Sequence, residues 1–198
     1  AKDFIQACND TKILEKYNIP EGKNLEGYLF PDTYFFTEGM SIESIVDKFL
    51  ENFFNKLSEI EELKGLSPED FYQTLVLASI IEREYRVPSE APVIASVFTN
   101  RIKHNIGLYS CATIEYILTE IQGLPHPDRI TYDDLKIDSP YNTSKWAALP
   151  PGPISNPGLI ALKAAAKPAE TDYFYFVLTD PATGSHTFSK SFDQHIKA

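Results

Sequence analysis

Two glutamates interrupt an otherwise apolar helical pattern in L-V-L-A-S-I-I-E-R-E-Y-R-V, residues 75–87, and this stretch is the best place in the sequence for acid–base chemistry. Glu82 extends the stripe of Phe71, Leu75 and Ala78, with Tyr85 beyond it, at the spacing of a 3.6-residue repeat. A carboxyl with apolar walls loses hydration, which disfavours its charged form and raises its pKa toward the range of a general acid. Glu84 falls on a second stripe with Leu77, Ile80 and Ile81, so periodicity nominates both glutamates and ranks neither. The plainer alternative is a helix that leaves the core after Ile81 and ends in a solvated turn of Glu82, Arg83, Glu84 and Arg86.

Other chemistries find less support. The sequence holds no G-x-G-x-x-G, Walker loop, H-E-x-x-H or G-x-S-x-G. His186 and His195 stand beside serines, but spacing ties neither to an Asp and a nucleophile. Lys163 and Lys167 lie on an alanine-rich helical pattern with nothing to desolvate a Schiff-base amine. No cofactor and no metal are expected. Cys8 and Cys111 lie far apart, outside any C-x-x-C, and read as separate thiols, with a single disulfide as the alternative that spacing does not decide. With 28 acidic against 18 basic residues and a net charge of −10, the chain offers no basic run for a nucleic-acid backbone. A carboxylate in an apolar setting, spare aromatics and a Pro/Gly-rich loop suit a glycan cleft.

The elements that must position such a carboxylate can be read in order. Residues 3–17 pattern as a helix, and 25–36, rich in aromatics and broken at Pro31-Asp32, as two extended segments about a turn. Tyr28 and Tyr34 are candidates there to present a ring face to a sugar, against plain core packing. Ser41 caps a helix reaching about Lys56, and Ser67-Pro68 opens the helix that carries the glutamates. A further helix runs from about Ser89 to His104, with Gly107 as its left-handed end. Residues 139–158 hold too many prolines and glycines for a helix or a central strand, and a loop of that length inside a compact domain is usually functional. Asn156 is expected to cap the next helix, which stops at Pro168. Strands at 173–179 and 186–189, joined by Pro181-Ala182-Thr183-Gly184, and a helix around His195 close the chain. The expected fold class is α+β, a helical core with short strands near both ends. No stretch reaches the ~20 apolar residues of a membrane span.

L-E-G-Y-L-F-P-D-T-Y, L-A-S-I-I-E-R-E, S-V-F-T-N-R-I, P-Y-N-T-S, L-P-P-G-P-I-S-N-P-G, Y-F-Y-F-V and G-S-H-T-F-S with a later His together resemble the YceG-like (MltG) family of endolytic murein transglycosylases, from Leu25 to His195. The resemblance implies that Glu82, the first glutamate of L-A-S-I-I-E, is the catalytic acid. It implies a catalytic domain over 25–198, with 1–24 as the remnant of a LysM-like module or linker, in a longer bacterial protein held by one N-terminal transmembrane helix with its catalytic domain outside. The implied partners are peptidoglycan glycan strands and glycan synthases of the penicillin-binding-protein type. Tyr109, where the family often has Gln, and Lys145-Trp146-Ala147-Ala148, in place of a commoner glycine-containing run, depart from the pattern and bear on the sugar subsites. The family's other label, aminodeoxychorismate lyase, finds no cofactor site in this sequence.

The chemistry so implied uses one carboxyl and no water. The acid protonates the glycosidic oxygen between N-acetylmuramic acid and N-acetylglucosamine, then takes the proton of the muramic C6 hydroxyl as that oxygen closes a 1,6-anhydro ring on C1. An internal nucleophile removes the need for the second carboxylate of ordinary glycosidases. The hydroxyls and amides of Ser110, Thr113, Tyr141, Asn142, Thr143 and Asn156 are candidates to bind the sugar and its acetamides, against simple loop hydrogen bonding. A non-catalytic glycan-binding module supporting a synthase is the alternative. It predicts an ion pair from Glu82 to Arg83 or Arg86, whereas the enzyme predicts a cleft with hydroxyl neighbours.

Overall fold

Helix α4, Pro68–Glu84, is the axis of the molecule in the computed structural model, which describes residues 2–198. It starts where local rules place it: the Ser67 side chain accepts the Asp70 amide, and Pro68 occupies the first turn. Residues 75–81 are all buried, so over two turns the helix is enclosed on every side. Its one hydroxyl there, Ser79, is satisfied by the Val76 carbonyl at 2.7 Å and the Ile154 amide at 3.0 Å. Around α4 pack α5 (Ala91–Lys103), α6 (Cys111–Tyr116) and α7 (Leu159–Ala166). The amphipathic α3 (Ile42–Leu57), capped by Ser41, adds Val46, Leu50 and Phe53 to the same core.

Residues 2–24 fold as two short helices, α1 (Lys2–Ala7) and α2 (Thr11–Lys16), where the pattern predicts one. The Asp10 side chain accepts the Lys12 amide at 2.9 Å and restarts the helix there. Ala7, Ile13 and Ile19 belong to the main core.

The α+β class holds, with one correction. Among the described residues the sheet is a single antiparallel hairpin near the C-terminal end, β1 (Tyr175–Asp180) and β2 (Ser185–Ser189), followed by α8 (Phe192–Lys197). Residues 25–36 form no strand. The Gly27 and Leu29 amides donate to the Asn156 side chain at 2.9 and 3.1 Å, so a loop serves the backbone groups that a neighbouring strand would have taken. Tyr28 is buried among Phe53, Phe71 and Tyr72, which makes it a core aromatic and not a sugar platform, whereas Tyr34 is half-buried, packed on Phe49 at 4.3 Å with its hydroxyl donating to the Phe30 carbonyl at 2.7 Å.

The end of α5 also differs from expectation. Asn105, at φ 55°, takes the left-handed position, with the Ile106 amide bonding the Arg101 carbonyl at 2.9 Å and the Asn105 amide the Ile102 carbonyl at 3.1 Å. That pair of bonds is a Schellman end, in which Asn is the commonest substitute for Gly. Gly107 is required for space: a Cβ there would lie 2.8 Å from the Thr143 carbonyl oxygen and 3.1 Å from the Tyr109 ring.

Candidate active site

Glu82 and Glu84 stand two residues apart on α4, about 200° around the helix axis, so the helix aims them at different neighbours. Glu82 faces the end of the 139–158 loop, where its Oε2 accepts the Gly158 amide at 3.0 Å. Gly158 is the N-cap of α7, so Glu82 places negative charge on an unpaired amide at a helix start. Burial raises the Glu82 pKa, while the Gly158 amide and the Tyr85 hydroxyl oppose the rise.

Glu84 faces the start of α6 and the hairpin. The Ser110 hydroxyl donates to its Oε1. The residue keeps some surface, but protein atoms close around the carboxyl, and this burial is the main cause of its raised pKa. The Ser110 bond opposes the rise, as do the nearby His186 and Arg83, whereas Glu115 adds to it. Neither glutamate forms an ion pair among the described residues. Arg83 instead pairs with Glu115 at 2.9 Å, and Arg86 packs its side chain against Gly184 in the hairpin turn. The ion-paired arrangement expected of a binding module is therefore not the one observed.

Behind Ser110 lies a buried chain of hydroxyls. Thr143 Oγ1 accepts the Ser110 amide at 3.2 Å and meets Thr113 Oγ1 at 2.9 Å, and Thr113 Oγ1 also donates to the Ser110 carbonyl at 2.7 Å. Thr113 and Thr143 therefore fix Ser110, which alone of the three touches a carboxylate. Tyr141 packs against Tyr116 in a tilted pair with 4.9 Å between ring centroids, and the Tyr116 hydroxyl donates at 2.7 Å to Glu26, a third carboxyl raised by burial. The other two candidates are structural. Asn142 is fully buried, donates to the Leu135 and Ile137 carbonyls at 3.0 and 2.8 Å, and accepts the Ser144 amide, so both ends of its amide are occupied. Asn156 holds Gly27 and Leu29, and does not cap α7 as the sequence pattern predicts; the cap is Gly158.

On the hairpin side, His186 Nδ1 meets Glu90 at 2.7 Å and the His186 amide donates to the same carboxylate, with the two side chains 7% and 16% exposed. Sequence spacing gives Glu90 no role, because its partner lies 96 residues away. Arg101 is a second residue that spacing misses. Its Nε donates to the Phe174 carbonyl at 2.6 Å and its Nη1 to the Leu108 carbonyl at 2.9 Å, pinning the hairpin and the segment before α6 to α5. A cleft of about 410 Å³ opens along α6, lined by Arg83 at the end of α4 and by Glu115, Tyr116, Glu120, His126 and Ile154 among others. Among the described residues no group of three His, Cys, Asp or Glu converges as metal ligands would, and Cys8 and Cys111 are separate thiols.

A profile described as the YceG-like family matches residues 1–198. The chain belongs to the YceG-like family. A protein of Bacillus subtilis (strain 168) named endolytic murein transglycosylase is 36% identical over 190 residues, 96% of this chain and 51% of its own length. A protein of the same name from Streptococcus pneumoniae D39 is 32% identical over 172 residues, 86% of this chain and 31% of its own length. The crystal structure of a YceG-like protein of Listeria monocytogenes superposes with a TM-score of 0.83 at 34% identity, covering 99% of this chain and 66% of that one. This YceG-like chain thus spans about half or less of the two murein transglycosylases named above. No helix among its described residues is long and apolar enough to cross a membrane.

Proposed function

We propose that this chain carries the catalytic machinery of a lytic endotransglycosylase, which cleaves the N-acetylmuramic acid–N-acetylglucosamine bond within peptidoglycan strands and leaves 1,6-anhydro ends. The observation that carries the reading is a desolvated carboxyl without a cationic partner, bonded by a hydroxyl at the junction of α4, α6 and the hairpin. It lies in a chain whose relatives bear the name endolytic murein transglycosylase.

The acid in this reading is Glu84, although the sequence resemblance assigns the role to Glu82. Glu82 has its Oε2 committed to the backbone amide at the start of α7, a bond that supports structure. Glu84 has the neighbours that the chemistry needs: a hydroxyl that can follow its change of charge, and burial that favours the protonated form. It donates its proton to the departing glycosidic oxygen and receives the C6 hydroxyl proton as C6–O attacks C1. One proton leaves and one returns, and no water is consumed.

The resemblance supports three further parts of the proposal. Residues 1–24 are read as part of a LysM-like module or linker, the full-length protein as held by a single membrane helix with this domain on the outer side, and a penicillin-binding-protein glycan synthase as its partner.

The test compares E84Q with E82Q on purified uncrosslinked glycan strands, with products read by mass spectrometry. E84Q removes the proton and is expected to lose at least about 10²-fold in rate. E82Q keeps an acceptor for Gly158 and is expected to lose far less. The reverse order returns the acid to Glu82, and reducing ends from the unmodified protein defeat the transglycosylase reading altogether.

A further inference from the structure

Tyr109 is built in a way that core packing does not explain. It is 60% exposed, yet its backbone sits at φ 53°, a left-handed conformation in which a bulky side chain is a genuine outlier. The surroundings hold it there. Its amide donates to the Thr143 carbonyl at 3.1 Å, one edge of its ring lies against Gly107, and the Arg101 guanidinium lies 5.8 Å from the ring centroid. Arg101 is held in place, because backbone carbonyls of Phe174, Gly107 and Leu108 bind it and the Tyr175 ring centroid lies 5.1 Å away. The next residue in the chain is Ser110, whose hydroxyl reaches Glu84. Phe35, Tyr132 and Trp146 are also exposed aromatics, but Tyr109 alone among these adjoins a residue bonded to that carboxyl.

From this geometry we infer that Tyr109 is a stacking platform for a pyranose ring of the glycan strand, holding the sugar beside the scissile bond and setting the chain's preference at that subsite. The inference rests on the transglycosylase reading above for the identity of the strand. Its physical basis is independent of that reading. A sugar with equatorial substituents presents a face of axial C–H groups, and a rigid aromatic ring offers that face a large apolar area at little entropic cost. The strained backbone aims the ring, and the Arg101 brace keeps it aimed, so little ordering is left to be done when the sugar arrives.

The experiment measures binding of uncrosslinked glycan strands by calorimetry in the E84Q background, where cleavage is expected to be slowed at least about 10²-fold, comparing Tyr109, Y109N and Y109W. Asn accepts a left-handed backbone without the ring, whereas Trp keeps a ring face at the same cost in strain. Y109N is expected to bind about 3- to 10-fold more weakly, with a melting temperature equal to or above that of the parent, and Y109W to restore binding. In the active protein Y109N should raise KM by the same factor, leave kcat nearly unchanged and still yield anhydro ends. Binding by Y109N equal to that of the parent overturns the inference. So does a loss of binding accompanied by a lower melting temperature, because the ring would then be a structural brace for Arg101. Absence of anhydro ends from the unmodified protein defeats the function proposed above and leaves the Y109N binding comparison to decide the platform by itself.

Discussion

Replacing Ser110 with alanine should move the alkaline limb of the pH–rate profile upward. Ser110 Oγ donates to Glu84, and a donated bond favours the carboxylate over the acid. Burial pushes the Glu84 pKa up, and the Ser110 bond is the largest effect holding it down. A hydrogen bond to a charged group contributes about 1.5–3 kcal/mol, and 1.36 kcal/mol corresponds to one pH unit, so S110A should shift the limb by about one to two units. Thr113 and Thr143 cannot substitute for the missing hydroxyl, since they bond to each other at 2.9 Å and to the Ser110 backbone. The acid must start protonated, so the rate falls as pH rises through the Glu84 pKa, and raising that pKa carries the fall with it. Stability gives a companion sign. A carboxyl whose folded pKa is raised costs stability as pH climbs from the unfolded value, about 4.3, to the folded one. S110A widens that window, so its melting temperature should lie further below that of the parent at pH 8 than at pH 4. The assay is release of anhydro ends from soluble glycan strands under single turnover across pH 4–9, with melting curves in the same buffers. An unmoved limb would show that Ser110 does not touch the reacting carboxyl. A limb moved toward acid would show that Ser110 accepts from a protonated Glu84, and would refute the assigned direction of the bond.

Two further outcomes test how the site is held. N156A strands the Gly27 and Leu29 amides and should cost about 2 kcal/mol in urea unfolding, whereas N156D keeps the acceptor and should cost clearly less; equal losses would mean that these bonds do not hold the loop. G27A forces a side chain onto φ 88° with its Cβ 2.6 Å from Pro153 Cγ, and should destabilise by at least about 3 kcal/mol. A near-neutral G27A would show that the loop yields where the packing implies that it cannot.

Local chemistry made much of the scaffold legible. Ser41 and Ser67 cap the helices predicted for them, because a cap is a bond between residues three apart and needs nothing from the rest of the chain. The Pro181-Ala182-Thr183-Gly184 turn joins β1 and β2 for the same reason, with Gly184 at φ 76°. The resemblance marked the α4 terminus as the site, and periodicity brought both glutamates forward.

Periodicity ranked neither, and the resemblance chose Glu82 without sight of what surrounds either one. Their environments come from Gly158, 76 residues from Glu82, and from Ser110, 26 residues from Glu84. The same holds for Asn156, whose partners lie 127 and 129 residues away, and for Gly107, which is required by the Thr143 carbonyl and the Tyr109 ring. Residues 25–36 have strand-like composition, yet a strand is defined by its neighbour, and there the neighbour is a side-chain amide from a distant loop. Helix caps and turns satisfy their hydrogen bonds within a few residues, so composition and spacing determine them. Carboxyl desolvation, amide pairing across loops and the aim of an exposed ring depend on which distant segments meet, and only the tertiary structure decided that.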